Sequence, residues 1–337
     1  MINFISLKQF SVLIIFFFVS LIANFIYIKK YPKKVLKQSK KIPNPKIIAS
    51  EGGLVLFSLF ILFFYISYKL EIFAINLGSI PRFYVLFISL LLFCIVSYID
   101  DKFFISKKSR FIIQIILTYS SLSSLNLPVF NFLPEKLEYL LLVFFWVYLI
   151  NTSNFIDGLN GMLASNCIVF LIGNLIIIDH FQIIDDFLLT LILILLILTI
   201  SFLLFNFPKA YLFIGDTGSI PFGFLIGYII IYFFSISIYW PVLFLFSYPL
   251  VDISITLIDK IFIRKRLPWE RLFDYFFLMP VIHGRKKHSF VIIRVLFINI
   301  LNLIFLKIFL VTNYYILIIL PFISSLVLIY SFKKFKS

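Results

Sequence analysis

Apolar and polar positions alternate along the chain in long blocks rather than with a short period. Cutting the sequence at charges, prolines and glycines leaves eleven apolar runs, most of them near the roughly 20 residues that a helix needs to cross a bilayer. The pattern predicts an all-α integral membrane protein with about 10–11 transmembrane helices. The short runs 111–127 and 137–150 are expected to tilt or to extend into their loops. The predicted spans are 4–28, 52–70, 82–99, 111–127, 137–150, 162–178, 187–205, 219–235, 240–260, 290–311 and 314–331.

Lysine and arginine are distributed unevenly between the loops. Alternate loops on one side carry 24 of the 30 basic residues, including eight lysines within 29–46 and eight cations within 260–289. Cytoplasmic loops of membrane proteins are enriched in Lys and Arg. We therefore expect this side to be cytoplasmic, with the N-terminus outside and the C-terminus inside, in a single polytopic membrane domain over residues 1–337.

Composition supports this class. The 337 residues are 62% hydrophobic and only 13% charged, and the mean hydropathy is +1.11, which excludes an ordinary soluble fold. The net charge of +15 would suggest nucleic acid in a soluble protein, but its placement beside the spans points to lipid headgroups, and we expect no nucleic-acid partner. The lysines of 29–46 can fix topology, attract an anionic substrate, or do both.

The segment 151–161 holds the densest polar group between two apolar runs: Asn151, Asn154, Asp157 and Asn160. Residues three apart share a helix face, so these side chains would point the same way. A row of amides with a carboxylate suits a metal-bound polyphosphate or a sugar. A helix end capped by Asn and Gly is the alternative, but carboxylates at membrane spans are rare and favour a function.

Two adjacent carboxylates, Asp100 and Asp101, end the third run. They repel each other unless a cation lies near, and Mg²⁺ binds such groups together with phosphate oxygens. A surface pair neutralised by the basic residues from Lys102 to Arg110 explains the loop equally well.

A second glycine-flanked carboxylate, Asp216, opens the eighth run within Gly-Asp-Thr-Gly-Ser. Free N–H groups at a helix start would face an anion there. Asp216 as a simple helix cap is the alternative, although a cap does not require glycines on both sides, which favours metal or phosphate binding.

The ninth run contains Pro249 and Asp252. Pro249 should kink or break the helix. Asp252 would lie about 12 Å below the cytoplasmic end, at 1.5 Å per residue, where an ionisable group is a functional candidate. A structural pair with Lys260 or Arg264 is the rival interpretation.

The last large loop ends in a basic cluster with two histidines. Arg285 and His288 suggest phosphate contacts, whereas a loop that only fixes topology is the equal alternative. His288 directly precedes the tenth span and is the better candidate than His283.

Together these motifs resemble the polyprenyl-phosphate N-acetylhexosamine-1-phosphate transferase family, of the glycosyltransferase family 4 type. The matching elements are Asp100-Asp101 with Arg110 and Gln114, the Asn-x-x-Asn-Phe-x-Asp-Gly pattern at 151–158, Phe-Ile-Gly-Asp-Thr-Gly-Ser at 213–219, and Pro-x-x-Asp at 249–252. The chain departs from the family by its wider His283–His288 spacing and by Ser50-Glu51-Gly52-Gly53 where a Pro-Arg-Gly-Gly run is usual. The Asn-Phe-Ile-Asp-Gly sequence favours this type over phospho-N-acetylmuramoyl-pentapeptide transferases.

The resemblance implies transfer of a sugar-1-phosphate, of N-acetylhexosamine type, from a UDP-sugar to undecaprenyl phosphate, with release of UMP. This would be the first membrane step of a cell-envelope polysaccharide, such as lipopolysaccharide O-antigen, in the bacterial cytoplasmic (inner) membrane. It implies a Mg²⁺ cofactor, with Mn²⁺ as a substitute. The implied roles are metal binding by Asp216 and Asn154, catalysis by Asp100, Asp101 and Asp157, and substrate binding by Asn151, Asn154, Asn160, Arg110, Asp252, Arg285 and His288.

The expected active site is formed by the cytoplasmic loops 29–51, 100–110, 151–161, 206–219 and 260–289. Expected partners are undecaprenyl phosphate, a UDP-sugar and membrane lipids, and a homodimer is among the assemblies that the sequence allows. The alternative function is a transporter or lipid flippase. Transporters bind their substrates near the bilayer midplane between repeated halves, whereas these carboxylates fall at span ends and no repeat is visible.

Overall fold

The fold is helical throughout the part of the chain that the structure describes. This computed structural model describes residues 6–31, 48–75, 80–103, 105–125, 127–130, 132–267 and 275–336. Within these ranges no strand forms, apart from one isolated parallel bridge between Ala49 and Leu212. Nine of the described helices are long and apolar enough to cross a membrane, which confirms the predicted class.

Each of the eleven predicted spans corresponds to a helix or a helix pair. The helices are α1 (Leu7–Lys30), α2 (Gly52–Lys69), α3 (Ile80–Phe103), α4 (Lys107–Leu122), α5 (Glu135–Ile156), α6 (Met162–Phe181), α7 (Asp186–Asn206), α8 (Asp216–Ser235), α9 (Trp240–Phe244), α10 (Ser247–Ile258), α11 (Met279–Ile282), α12 (His288–Thr312) and α13 (Leu320–Lys333). A π-helical turn, Asp259–Ile263, extends α10, and a 3₁₀ turn, Tyr315–Ile318, precedes α13.

Two spans have features that affect the site. The run predicted at 137–150 extends into its loop as expected, and α5 continues to Ile156, so that Asn151 and Asn154 are helical. The ninth span is broken into α9 and α10, and Pro249 lies in the first turn of α10. A proline is tolerated there because the N–H groups of a first turn have no helical partner, so the break precedes it.

Helix α8 forms the centre of the bundle. Every residue from Thr217 to Phe234 is buried, with α2, α3 and α5 packed against it. The approach of α5 depends on small residues: a Cβ on Gly227 would lie 2.1 Å from Cδ1 of Trp146, whose Nε1 donates to the Phe224 carbonyl at 2.8 Å. Small residues let helix backbones come close where lipid provides no hydrophobic drive.

The N-terminus of α2 packs against the start of α8 in the same way. A Cβ on Gly53 would lie 2.3 Å from the Gly218 Cα, so two glycine backbones meet there. The N–H groups of Gly52 and Gly53 donate to the carbonyls of Phe213 and Ile214, at 2.8 and 2.9 Å. These contacts fix the segment before α2 against the segment before α8.

Candidate active site at one end of the helical bundle

The sequence motifs converge on one end of the bundle, which we call the motif end. It consists of segments 48–51, 100–103, 105–106, 157–161, 207–215 and 283–287 and the helix ends that flank them. The contacts described below join most of these segments, and the last is connected through the neighbouring His288. The lysines expected at 33–46 lie outside the described residues, as do residues 268–274 of the last large loop.

Arg110 connects two of the predicted carboxylates. Its Nη1 lies 2.6 Å from Oδ2 of Asp100 and 3.4 Å from Oδ2 of Asp216. The other oxygen of Asp100 accepts the Ile105 backbone N–H at 2.7 Å. Arg110 thus neutralises Asp100, as the alternative interpretation of this loop expected, but the Asp100 side chain is only 11% exposed and the pair does not lie on the open surface.

The neighbouring carboxylate, Asp101, is oriented differently. It is exposed in the last turn of α3, beside Lys102. Adjacent residues on a helix point about 100° apart, which accounts for the different exposure of the two carboxylates. The sequence alone did not distinguish them.

Asp216 is the first residue of α8, and its side chain is directed into the site. The preceding residue, Gly215, is the N-cap and has no side chain that could cap the helix. Instead, Oδ1 of Asp216 accepts from Nδ2 of Asn154 at 3.0 Å, and the same amide donates to Ser219 Oγ at 3.0 Å. The helix-cap alternative for Asp216 therefore does not describe this side chain.

Asp157 follows directly after α5 and is partly exposed. Burial, and secondarily the negative charge of Asp216, raise the pKa of the Asp157 carboxyl well above its usual value. The Asp216 carboxylate is therefore near enough to disfavour ionisation of Asp157. A nearby cation would relieve that repulsion.

The second half of the motif, 157–161, forms the turn between α5 and α6. The Asn160 N–H donates to Nδ1 of His288, the first residue of α12, at 3.2 Å. Because Nδ1 accepts, the imidazole is neutral and Nε2 carries the proton, free to donate toward an anion. Asn160 and His288 are thus brought together, and the link uses the backbone of Asn160.

An amide that sequence reasoning missed holds this turn in place. Asn206, the last residue of α7, accepts the Gly161 N–H and donates to the Leu212 carbonyl at 2.7 Å. It thereby connects the 157–161 turn to the segment before α8. A polar residue ending an apolar run is its only sequence signal, and many solvated helix ends share it.

Asn151 faces a different neighbour from Asn154. Its Nδ2 donates to Oε1 of Gln114 on α4 at 2.9 Å and to the Val147 carbonyl at 2.8 Å. Gln114 is buried. The amide of Asn151 therefore links α5 to α4 beneath the Arg110 cluster.

Asp252 is completely buried and accepts hydrogen bonds from its own chain. Its donors are the Tyr248 hydroxyl at 2.9 Å, the Thr256 hydroxyl at 3.3 Å, and the backbone N–H groups of Phe276 and Phe277 at 3.3 and 3.2 Å. This geometry fastens segment 276–278 to α10 and leaves no exposed face for a substrate. Of the two rival partners, Lys260 and Arg264, the second pairs with Asp259, with Nη2 2.7 Å from Oδ2.

The basic cluster before α12 has two kinds of member. Arg285 is exposed, with a left-handed backbone at φ 50°, and His283 is exposed at the end of α11. Only His288 of this cluster is tied to the 151–161 motif by a hydrogen bond described here. Its predicted preference over His283 agrees with that placement.

A divalent cation fits the donor chemistry of this end. Among the described residues no three His, Cys, Asp or Glu side chains group as a metal site, but Mg²⁺ needs only one or two carboxylates when phosphates and water complete its shell. Asp216 and Asp157 are the candidate carboxylates, because the charge of the first contributes to the raised pKa of the second, and the Asn154 side chain contacts Asp216. These residues are the ones that would hold the ion.

Comparison with known proteins agrees with the motifs. Residues 83–234, from α3 to α8, match the family model described as glycosyl transferase family 4. A probable undecaprenyl-phosphate N-acetylglucosaminyl 1-phosphate transferase of Bacillus subtilis is 28% identical over 233 residues, which are 66% of this chain and 61% of that protein. The match thus spans about three fifths of the relative's length.

Two further relatives are phospho-N-acetylmuramoyl-pentapeptide-transferases. The protein from Leuconostoc citreum is 29% identical over 147 residues, 38% of this chain and 42% of the relative. The protein from Leuconostoc mesenteroides is 36% identical over 116 residues, 33% of this chain and 32% of the relative. The family-model match over residues 83–234, these relatives and the convergence of the motifs lead to one conclusion: the chain is similar to the polyprenyl-phosphate sugar-1-phosphate transferases of glycosyl transferase family 4.

Proposed function

We propose that this protein transfers a sugar-1-phosphate from a UDP-sugar to undecaprenyl phosphate and releases UMP. The observation that carries the proposal is the cluster in which Arg110 lies between Asp100 and Asp216, with Asn154 on the second carboxylate. A guanidinium and a candidate cation site at the end of a membrane bundle suit a reaction between two phosphate-bearing substrates. The name of the Bacillus subtilis relative supports the same acceptor.

The chemistry needs positioning more than proton removal. A phosphate monoester has a second pKa of about 6, so most of the acceptor phosphate is dianionic at neutral pH. One of its oxygens attacks the sugar-bound phosphorus of the donor, the bond from that phosphorus to the bridging oxygen breaks, and UMP leaves with that oxygen. Direct attack is therefore favoured over a covalent aspartyl intermediate.

The side chains divide this work between them. Arg110 and the Nε2–H of His288 would bind phosphate oxygens, while Asp216, Asp157 and Asn154 would hold Mg²⁺ or Mn²⁺. The bound cation would neutralise phosphate charge as the two substrates approach. Asp100 holds the Arg110 guanidinium in place through its 2.6 Å contact.

A transporter or flippase is the alternative function, and the geometry disfavours it. Transporters place binding groups near the bilayer midplane. Here the carboxylate cluster lies at the helix ends, and the buried Asp252 is occupied by donors from its own chain.

Turnover by the purified protein tests the proposal. Protein in detergent is incubated with undecaprenyl phosphate, Mg²⁺ and a panel of UDP-sugars, and released UMP is measured. We expect UMP with one or more N-acetylhexosamine donors, none without the acceptor, and loss of turnover in excess chelator with recovery on adding Mg²⁺ or Mn²⁺. Absence of UMP with every donor would overturn the proposed function, and full turnover in chelator would overturn the cation.

We also propose that the motif end faces the cytoplasm of a bacterial cell, in its cytoplasmic membrane. The skew of basic residues supports this orientation. Single cysteines at the exposed Ser106 and Lys209 should be shielded from a membrane-impermeant reagent in intact cells, whereas one at Asn313 should react. Labelling of Ser106 from outside would contradict the orientation. The product would enter a cell-wall or related envelope glycan, O-antigen being one such class.

A further inference from the structure

Glu51 has a backbone conformation that its residue type does not favour. Its φ of 69° and ψ of 32° are left-handed, directly before α2. This conformation is strained for a residue with a Cβ and easy for glycine, and the next two residues are already glycines. A third glycine would remove the strain, so the Glu51 side chain is retained at a cost in stability. Such outliers concentrate at functional sites.

The carboxylate of Glu51 lies beside a cation of the motif end. Glu51 is only 8% exposed, and its Oε1 is 3.8 Å from Nζ of Lys102. The Lys102 ammonium also lies 5.4 Å from the centroid of the Tyr98 ring. Contacts on two sides restrict the long, flexible side chain of Lys102. The Lys102 side chain is 39% exposed, which leaves it accessible to a ligand.

Both residues lie next to the Arg110 cluster. Lys102 is two residues after Asp100, in the last turn of α3. The backbone N and Cα of Glu51 lie 3.5 Å from the point where a Cβ on Gly215 would be, immediately before Asp216. Glu51 therefore occupies the junction between the end of α3 and the start of α8.

We propose that Glu51 is a positioning residue for the transfer reaction, and that it acts by holding the Lys102 ammonium where it binds a substrate phosphate. An ammonium has three donors, so one directed at Glu51 leaves two for phosphate oxygens. This inference rests on the proposed function, because it needs a phosphate-bearing substrate at the motif end. It assigns a part in the reaction to the position where the chain departs from the Pro-Arg-Gly-Gly pattern.

A purely structural part for Glu51 makes the opposite prediction. If the side chain only attached segment 48–51 to α3, then Glu51→Gly, which relieves the backbone strain, would leave turnover close to normal. If Glu51 positions Lys102, Glu51→Gly should be more stable than Glu51→Gln. The two variants should lose equal amounts of activity. The two substitutions remove the same charge and differ in the strain that they leave.

The experiment compares Glu51→Gly, Glu51→Gln, Lys102→Ala and the double variant Glu51→Gln/Lys102→Ala. Thermal stability in detergent and kcat/KM for UMP release are measured for each. We expect a higher Tm for Glu51→Gly than for Glu51→Gln, and a loss of about tenfold in kcat/KM for both, largely through a raised KM. The double variant should lose no more activity than Lys102→Ala alone, because Glu51 acts through Lys102.

The chain offers a matched control at the other end of α2. Glu71 also has a left-handed backbone, at φ 49°, but it is exposed and lies beyond the opposite end of the helix. Glu71→Gly should raise the Tm and leave kcat/KM unchanged. It separates the effect of relieved strain from the effect of a lost carboxylate.

Each outcome decides the proposal. Wild-type protein that releases no UMP from any donor overturns the proposed function and this inference with it. Active wild-type protein with normal kcat/KM in Glu51→Gly overturns the inference alone. Losses that multiply in the double variant also overturn it, since Glu51 would then act independently of Lys102. Equal losses in both single Glu51 variants, with no further loss in the double variant, support it.

Discussion

Replacing Asp216 by asparagine separates chemistry from folding at the centre of the site. The substitution retains the shape of the side chain and one oxygen that can accept the Asn154 amide, now at 3.0 Å. What disappears is the negative charge and the contact of Oδ2 with Arg110 at 3.4 Å. Asp216→Asn should therefore fold like the wild type and fail to turn over.

The magnitudes follow from the exposure and the distances. The Arg110 and Asp216 side chains are 24% and 32% exposed, and a pair of this kind contributes about 0.2–1 kcal/mol to stability. Arg110 also keeps its closer partner, Asp100, at 2.6 Å. Loss of the charge that would hold the cation between two phosphates should lower kcat by at least about 100-fold, which is roughly 2.7 kcal/mol of transition-state stabilisation.

The assay pairs UMP release with the thermal stability of purified protein, and Asp100→Asn is the control. Asp100 is less exposed and accepts two short hydrogen bonds, from Arg110 at 2.6 Å and from the Ile105 N–H at 2.7 Å. Its replacement should cost about 1–3 kcal/mol of stability as well as activity. Near-normal turnover by Asp216→Asn would refute the reasoning, and so would destabilisation equal to that of Asp100→Asn.

Three further predictions test the surroundings. His288→Ala should lower kcat/KM by about 10- to 1,000-fold, roughly 1.4–4 kcal/mol, because it removes a fixed Nε2–H donor. His283→Ala should lower kcat/KM much less. Steady-state kinetics that show the larger loss for His283→Ala would contradict this prediction. The raised pKa of Asp157 means that its stabilising contribution is complete below the ordinary value of 3.8 and is lost as pH rises through the raised value. Asp157→Asn should therefore have a higher Tm than the wild type at pH 7 without divalent cations, and the difference should vanish in acid. A lower Tm for Asp157→Asn at pH 7 would contradict a carboxyl whose charged form is disfavoured by burial and by Asp216. Gly53→Ala should lower the free energy of unfolding by about 1–3 kcal/mol, since its Cβ would lie 2.3 Å from the Gly218 Cα; denaturation that matches wild type would show that α2 and α8 can separate freely.

The sequence by itself determined the class of the protein and the positions of the motifs, and nine of its eleven predicted spans correspond to described helices long enough to cross a membrane. Long apolar blocks are sufficient for this because a helix satisfies its own backbone hydrogen bonds in lipid, whatever it packs against. A break in the ninth span was also predictable from Pro249, although it falls just before that residue, since a missing N–H acts locally. The motifs likewise pointed to the family before any contact was known.

Only the tertiary structure decided which polar groups meet. It separated Asp100, which binds Arg110, from its exposed neighbour Asp101, and it gave Asp252 four donors from its own chain. It also revealed the hydrogen bonds of Asn206 with Gly161 and Leu212, and the pairing of Glu51 with Lys102. The contacts of Asn206 with Gly161, of Glu51 with Lys102 and of Asp252 with Phe276 join separate elements, and their geometry depends on how closely the helices approach and how they are rotated about their axes. A linear pattern of apolar runs leaves both quantities undetermined.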